Sequence, residues 1–352
     1  MLYQTPNPHG GDIYREPIRL DFSANTNPLG TPPGVLDAIR EALPHIHRYP
    51  DPNCRELVKA ISAFEGLPES CILCGNGAAE LIYAYCEAVK PRVAVELAPT
   101  FSEYSLGLAR TGCRTERYYL PEASDFTLDE SFPAFLESVR PDVIFLCNPN
   151  NPTGKTAPAA LLDQVLDYCR TRNARLFLDE CFLDLSDRPD SRKGRLSDVP
   201  GLFILKAFTK SYGMAGVRLG YGLCADAGLL RAMSRAVQPW NVSLLAQAAG
   251  TAALKETVFL ESTRALIRQE RPWLKEQLEG LGFRVCPSEA NYLLFRAPAE
   301  LGQALRERGV AIRCCDNYFG LGPGWFRTAV RTHEENRQLI QAMGAVLGKE
   351  CL

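Results

Sequence analysis

The chain reads as an α/β protein, with a large domain on a mostly parallel sheet and a second, smaller α+β domain. Two observations predict this. From about residue 55 to 225, short apolar runs alternate with amphipathic stretches, the pattern of strand–helix units that build a parallel sheet. After that the pattern changes to a long charged helical stretch and several short strands. With 352 residues the chain is long enough for both domains. The expected division is 1–44 as an N-terminal arm with part of the small domain, 45–245 as the large domain, and 246–352 as the small C-terminal domain.

Residues 1–34 are rich in Pro, Gly and Asn and read as an extended arm. Residues 35–43 have helical periodicity, and Arg48-Tyr49-Pro50-Asp51-Pro52 then makes a rigid, irregular connection. Strands are predicted over 93–97, 143–147, 176–179, 203–208 and 219–224. Between them a helix is predicted over 158–170, where Leu161, Leu162, Val165 and Leu166 recur at helical spacing. One long helical stretch, from about 244 to 281, follows. Residues 284–287, 292–296, 311–313 and 327–331 read as short strands, and a last helix starts near Glu334. No internal repeat or low-complexity tract interrupts this order.

The composition narrows the function. The chain is 46% hydrophobic and 23% charged with a formal net charge of −2, so nothing in it favours a nucleic acid. No apolar run approaches the ~20 residues of a membrane span. The first eight residues have neither a basic nor an apolar leader region, which points to the cytoplasm. The 13 cysteines are scattered, and the one CxxC pair, Cys71 with Cys74, has no second pair at zinc-site spacing. They read as reduced, mostly buried residues. The four histidines form no metal-binding pattern, so no metal site is expected.

The chemistry-bearing residues gather at strand ends, where an open α/β sheet binds its ligands. Lys210 follows the strand at 203–208, Asp179 closes the one before it, and Arg218 stands eight residues after the lysine. An amine that can condense with an aldehyde, a carboxylate for a ring nitrogen and an arginine fork for a phosphate suit pyridoxal phosphate. Asn148-Pro149-Asn150-Asn151-Pro152 turns the chain sharply after 143–147 and sets an Asn amide where a phenolic oxygen could accept from it. Gly75-Asn76-Gly77 opens a helix, where backbone N–H groups can face an anion. Phe101, at the start of another helix, can stack on a planar ring or simply fill the core. Each piece alone is an ordinary loop or cap; their order along one sheet is what makes a site.

Together these pieces resemble the fold-type-I pyridoxal-phosphate enzymes, the aspartate aminotransferase superfamily, over nearly the whole chain. The resemblance implies pyridoxal 5′-phosphate as cofactor, with Lys210 as the Schiff-base lysine, Asp179 as the pyridine partner and Asn151 as donor to the ring hydroxyl. It implies Arg218 and the amides at Asn76 and Gly77 around the cofactor phosphate, and Phe101 stacked on the ring. Two positions depart from the pattern. Ala207 stands where a phosphate-binding serine is usual, leaving Thr209 or Ser211 to substitute, and Phe182 replaces a common tyrosine.

Within the superfamily the chain is most similar to the threonine-phosphate decarboxylases of cobalamin synthesis, then to histidinol-phosphate aminotransferases. The strings that carry this include His9-Gly10-Gly11-Asp12, Asp21-Phe22-Ser23-Ala24-Asn25-Thr26-Asn27-Pro28, Gln238-Pro239-Trp240-Asn241, Arg313-Cys314-Cys315-Asp316-Asn317-Tyr318 and Phe326-Arg327-Thr328-Ala329-Val330-Arg331. The implied substrate is a small phosphorylated amino acid, with Arg327 on its carboxylate and Arg313 and Arg331 on its phosphate. Either of these two arginines has the alternative of pairing with a neighbouring acid. Asn27 and Tyr49 are further substrate-binding candidates, Tyr49 reaching the neighbouring site of a homodimer. Regulators with an aminotransferase-like domain add a DNA-binding helix-turn-helix, for which there is no room before Asp21. Decarboxylation and amino transfer both remain open at this level, because the torsion about N–Cα decides between them.

Overall fold

A computed structural model describes residues 9–349, so residues 1–8 of the expected arm, which were read for a leader, lie outside the described residues. The strands are β1 (Leu20–Asp21), β2 (Ile72–Gly75), β3 (Val93–Ala98), β4 (Arg114–Tyr119), β5 (Val143–Cys147), β6 (Arg175–Asp179), β7 (Leu202–Ala207), β8 (Gly220–Cys224), β9 (Arg284–Val285), β10 (Tyr292–Arg296), β11 (Val310–Ala311), β12 (Arg313–Cys314) and β13 (Trp325–Ala329). Helices α1 (Pro33–Ala42), α2 (Arg55–Glu65), α3 (Ala78–Val89), α4 (Glu103–Ala109), α5 (Phe132–Val139) and α6 (Ala159–Arg172) belong to the first half. The rest are α7 (Phe208–Ser211), α8 (Ala227–Ala236), α9 (Leu244–Ala253), α10 (Thr257–Gly280), α11 (Leu301–Arg306) and α12 (His333–Leu347).

The large sheet has seven strands in the order β2-β8-β7-β6-β5-β3-β4. Strands β4, β3, β5, β6 and β7 run parallel; β8 is antiparallel to β7 and β2 to β8. Strands β5, β7 and β8 are buried at every position, as a sheet covered on both faces requires. The period of two sorts their side chains. Phe145, Phe177 and Phe203 face α3, α4 and α8 and stack across three strands at 4.9 and 5.1 Å. Ile144, Leu146, Leu178 and Ile204 point to the other face, against α2, α6 and α9. This makes a rigid floor for the strand ends.

The second sheet, β12-β13-β10-β9, is antiparallel, and β1 pairs parallel with β11 beside it. Its core joins Phe22 from the N-terminal segment to residues from Leu274 onward. Val35 of α1 and Ala246, Ala249 and Ala253 of α9 share the core of the large sheet instead. The expected division at 44 and 245 put α1 and most of α9 on the other side.

Three expectations for the elements need correction. The stretch 244–281 is two helices, because Lys255 and Glu256 donate to Ala252 and Ala253 in tighter i→i+3 bonds and Glu256 leaves the helical region at φ −88°, ψ 52°. Residues 311–313 are not one strand: β11 pairs with β1, while β12 pairs with β13 in the other sheet. Strands β2 and β4 were not expected, and they are the two edges of the large sheet. No described helix is long and apolar enough to cross a membrane.

Candidate active site

Strands β5, β6 and β7 end side by side, with Cys147 paired to Asp179 and Asp179 to Leu205. The chain leaves β5 through two cis Asn–Pro bonds, and the one-turn helix α7 after β7 carries Lys210. One cavity over these ends is lined by Lys210, Asp179, Asn151, Arg218, Phe101, Thr209, Arg313 and Arg327. These eight expected residues therefore share a single chamber.

Asp179 lies at its base. One carboxylate oxygen accepts from the Tyr104 hydroxyl at 2.6 Å and the other from the Cys181 amide at 2.9 Å. Burial raises its pKa, and those hydrogen bonds and Lys210 work against the rise. Lys210 has its pKa lowered to about 8, first by burial and then by the Arg327 charge. Its amine is 5.6 Å from the Phe182 ring centre, so the phenyl group contributes a face where a tyrosine would contribute a hydroxyl.

Arg327 is buried and held by the Ser23 carbonyl at 2.9 Å and by the Asn151 side-chain oxygen. Its Nε has no partner, although it is buried. Asn151 uses its oxygen on Arg327 and Tyr318, which leaves its amide nitrogen as the atom available to donate. Arg313 donates to Asn317 at 2.7 Å, and its guanidinium lies 5.2 Å from the Tyr318 ring centre.

Five expected site residues are not part of the cavity lining. Asn76 and Gly77 form the turn before α3, but their amides are taken: Asn76 donates to Glu80 at 2.7 Å and Gly77 to the Gly75 carbonyl at 2.8 Å. The helix start presents Ala78 and Ala79 to the cavity instead. Asn27 is buried and donates to the Ser211 carbonyl and to Thr263, so it ties the arm to α7 and α10. Arg331 pairs with Glu335 at 2.7 Å, the alternative its neighbourhood allowed. Tyr49 stays 78% exposed and stacks on Trp240 at 4.6 Å. Of the two substitutes for the usual serine, Thr209 lines the cavity, whereas Ser211 donates to Asp184 at 3.1 Å.

The residue reading missed several lining groups. Asn25 is the most telling, because it is 1% exposed with neither amide atom partnered. His9, Ser23 and Tyr318 also line the cavity. His9, Ser23, Asn25 and Tyr318 lay inside the strings that carried the resemblance, but nothing local separated them from their neighbours. Tyr104 sits 75 residues from Asp179, and its contact is created by the fold alone.

The donor set fits pyridoxal phosphate. A buried acid, a lysine with lowered pKa and a helix start beside Arg218 surround one space, and a Cβ on Gly77 (φ +78°) would lie 2.6 Å from the Arg218 guanidinium. The positive φ strains any residue but glycine there, and the guanidinium would have to shift as well. Among the described residues no group of His, Cys, Asp or Glu is placed to hold a metal ion, and the described cysteines are free thiols.

Residues 17–343 match the family described as Aminotransferase class I and II. The chain is 38% identical to a threonine-phosphate decarboxylase from Salmonella typhimurium, over 96% of each chain. It is 36% identical to a histidinol-phosphate aminotransferase from Symbiobacterium thermophilum, over 94% of this chain and 91% of that one. Among solved structures, the histidinol-phosphate aminotransferase from Clostridium acetobutylicum superposes with a TM-score of 0.87 at 29% identity, covering 94% of this chain and 99% of that chain.

Proposed function

The chain belongs to the aminotransferase class I and II family, and from that premise we propose that it decarboxylates L-threonine O-3-phosphate. The product is (R)-1-amino-2-propanol O-2-phosphate, for the linker of the cobalamin nucleotide loop. The cofactor is pyridoxal 5′-phosphate. The observation that carries the reading is a pair of further arginines: Arg313 and Arg327 line the chamber of Lys210 in addition to Arg218. With Arg218 on the cofactor phosphate, two guanidinium groups remain for a substrate with two anionic groups.

Bound pyridoxal phosphate supplies a sink for the electron pair left when a bond at the substrate α carbon breaks. Lys210 Nζ is the amine that would hold its aldehyde carbon, and Asp179 would keep a proton on its ring nitrogen. Tyr104 and the Cys181 amide hold that carboxylate in place. Phe101 would cover one ring face and Asn151 would donate to the ring hydroxyl. Arg218, Thr209 and the start of α3 would hold the phosphate. Arg327 grips the substrate carboxylate, and Arg313 grips its phosphate with Asn25 alongside. The C–C bond to the carboxylate breaks, carbon dioxide leaves, and Lys210 is placed to deliver a proton to the α carbon.

An arginine pairing opposes loss of a carboxylate by roughly 1.5–3 kcal/mol, small beside the ~8 kcal/mol or more by which enzymes lower a barrier. The choice of decarboxylation is supported by the similarity to the Salmonella enzyme over nearly all of both chains. Amino transfer stands second, supported by the Symbiobacterium relative, because glutamate as amino donor also brings two anions. We also propose a cytoplasmic homodimer with shared active sites. Product analysis tests the reaction. Holoenzyme given O-phospho-L-threonine in heavy water is expected to yield the aminoalcohol phosphate with one deuterium at the former α carbon. A 2-oxo acid as product would contradict decarboxylation, and unchanged turnover in Lys210→Ala would overturn the role of that lysine.

A further inference from the structure

Phe319 is 52% exposed, yet it has a specific partner. The Arg117 guanidinium carbon lies 3.6 Å from its ring centre, a cation–π contact. Arg117 belongs to β4, an edge of the large sheet, whereas Phe319 sits between β12 and β13 of the other sheet. The arginine is anchored from behind. Its register partner in β3, Glu96, is 1% exposed, and Glu96 Oε1 is 2.9 Å from Arg117 Nε. Arg117 also donates to Ser105 at 3.2 Å.

The loop held by this contact forms part of the cavity wall. Tyr318, next to Phe319, lines the cavity and donates to Asn151 at 3.4 Å. Asn317, one residue earlier, accepts from Arg313. Gly320 (φ +84°) lies against the end of β3, where a Cβ would be 3.2 Å from the Ala98 carbonyl. Three consecutive residues, 317 to 319, thus connect the surface contact to the guanidinium in the cavity.

We propose that Glu96, Arg117 and Phe319 form a clasp that docks the 317–320 loop on the large sheet and so sets the position of Arg313 for the substrate phosphate. Arg117 and Phe319 are positioning residues and touch no substrate. The inference rests on the assignment of Arg313 to the substrate phosphate.

Phe319→Ala is the first variant, because it removes the contact to the loop and keeps the Glu96–Arg117 pair. Holoenzyme is titrated with inorganic phosphate by calorimetry, the cofactor's own phosphate site being filled. The affinity of Phe319→Ala is expected to fall roughly threefold to tenfold, the range of one such contact, and Phe319→Tyr should restore it. The KM for O-phospho-L-threonine should rise by the same factor with kcat within about twofold. Arg117→Met should reproduce the loss, and the double variant should add nothing to it. Unchanged phosphate affinity in Phe319→Ala, losses that sum in the double variant, or no phosphate binding by the parent holoenzyme would each overturn the clasp. A parent protein that binds phosphate without decarboxylating O-phospho-L-threonine would sink the proposed reaction alone, and the variants' phosphate affinities would still decide the clasp.

Discussion

At the residue scale, the site depends on charges set by burial. The lowered pKa of Lys210, about 8 against an ordinary 10.5, greatly raises the share of free amine near neutrality, as a nucleophilic lysine needs. The association rate of pyridoxal phosphate with cofactor-free protein is therefore expected to rise with pH through a midpoint near 8. Removing a neighbouring positive charge with Arg327→Met should move that midpoint upward; an unmoved midpoint would contradict the coupling. Stability follows the same shift. Between about 8 and 10.5 the unfolded chain binds a proton that folded Lys210 does not, so this group makes cofactor-free protein more stable as pH rises across that window. Tyr104→Phe removes a hydrogen bond to a buried carboxylate, and kcat is expected to fall about tenfold or more, read from steady-state rates with the fold intact by circular dichroism. Lys210, Asp179 and Arg327 were legible because each is a charged residue beside an apolar run. Asn25 and Tyr104 were not, since an amide in an arm and a tyrosine in a helix carry no local mark of a partner that only folding supplies.

At the element scale, the strands of the large sheet legible in the sequence are its inner ones, of which β5, β7 and β8 are buried at every position. Strand β5 was expected at its observed bounds and β7 within a residue at either end. Strands β2 and β4, the edges of the large sheet, were not foreseen, nor was the short β1 that pairs with β11. Strand β4, Arg-Thr-Glu-Arg-Tyr-Tyr, carries charges where central strands carry Val, Leu and Phe, as solvated edges do. The start of α3 was legible from its glycines, but not which amides would be free. Gly77→Ala tests that turn: a side chain at φ +78° against Arg218 should weaken cofactor retention about tenfold, measured by spectrophotometric titration. Unchanged retention would mean that Arg218 can move aside.

At the scale of the whole molecule, both sheets contribute to the cavity, with Arg327 from β13 of the second sheet bonded to Asn151 in the turn after β5 of the first. The fold class was legible because the alternation of strands and helices stops where the large sheet ends. The grouping of α1 and α9 with that sheet was not, because sequence order hides which core a helix covers. Tyr49 and Trp240 form an exposed aromatic pair outside the cavity lining. With the proposed homodimer, sedimentation should give twice the 38.9 kDa chain mass, and an active species at the single-chain mass would contradict it. The central claim is tested most directly by carboxyl-labelled O-phospho-L-threonine given to holoenzyme with no 2-oxo acid present. Many labelled carbon dioxide molecules released per active site is the result expected; label retained in solution, with glutamate and imidazole-acetol phosphate interconverting instead, would contradict it.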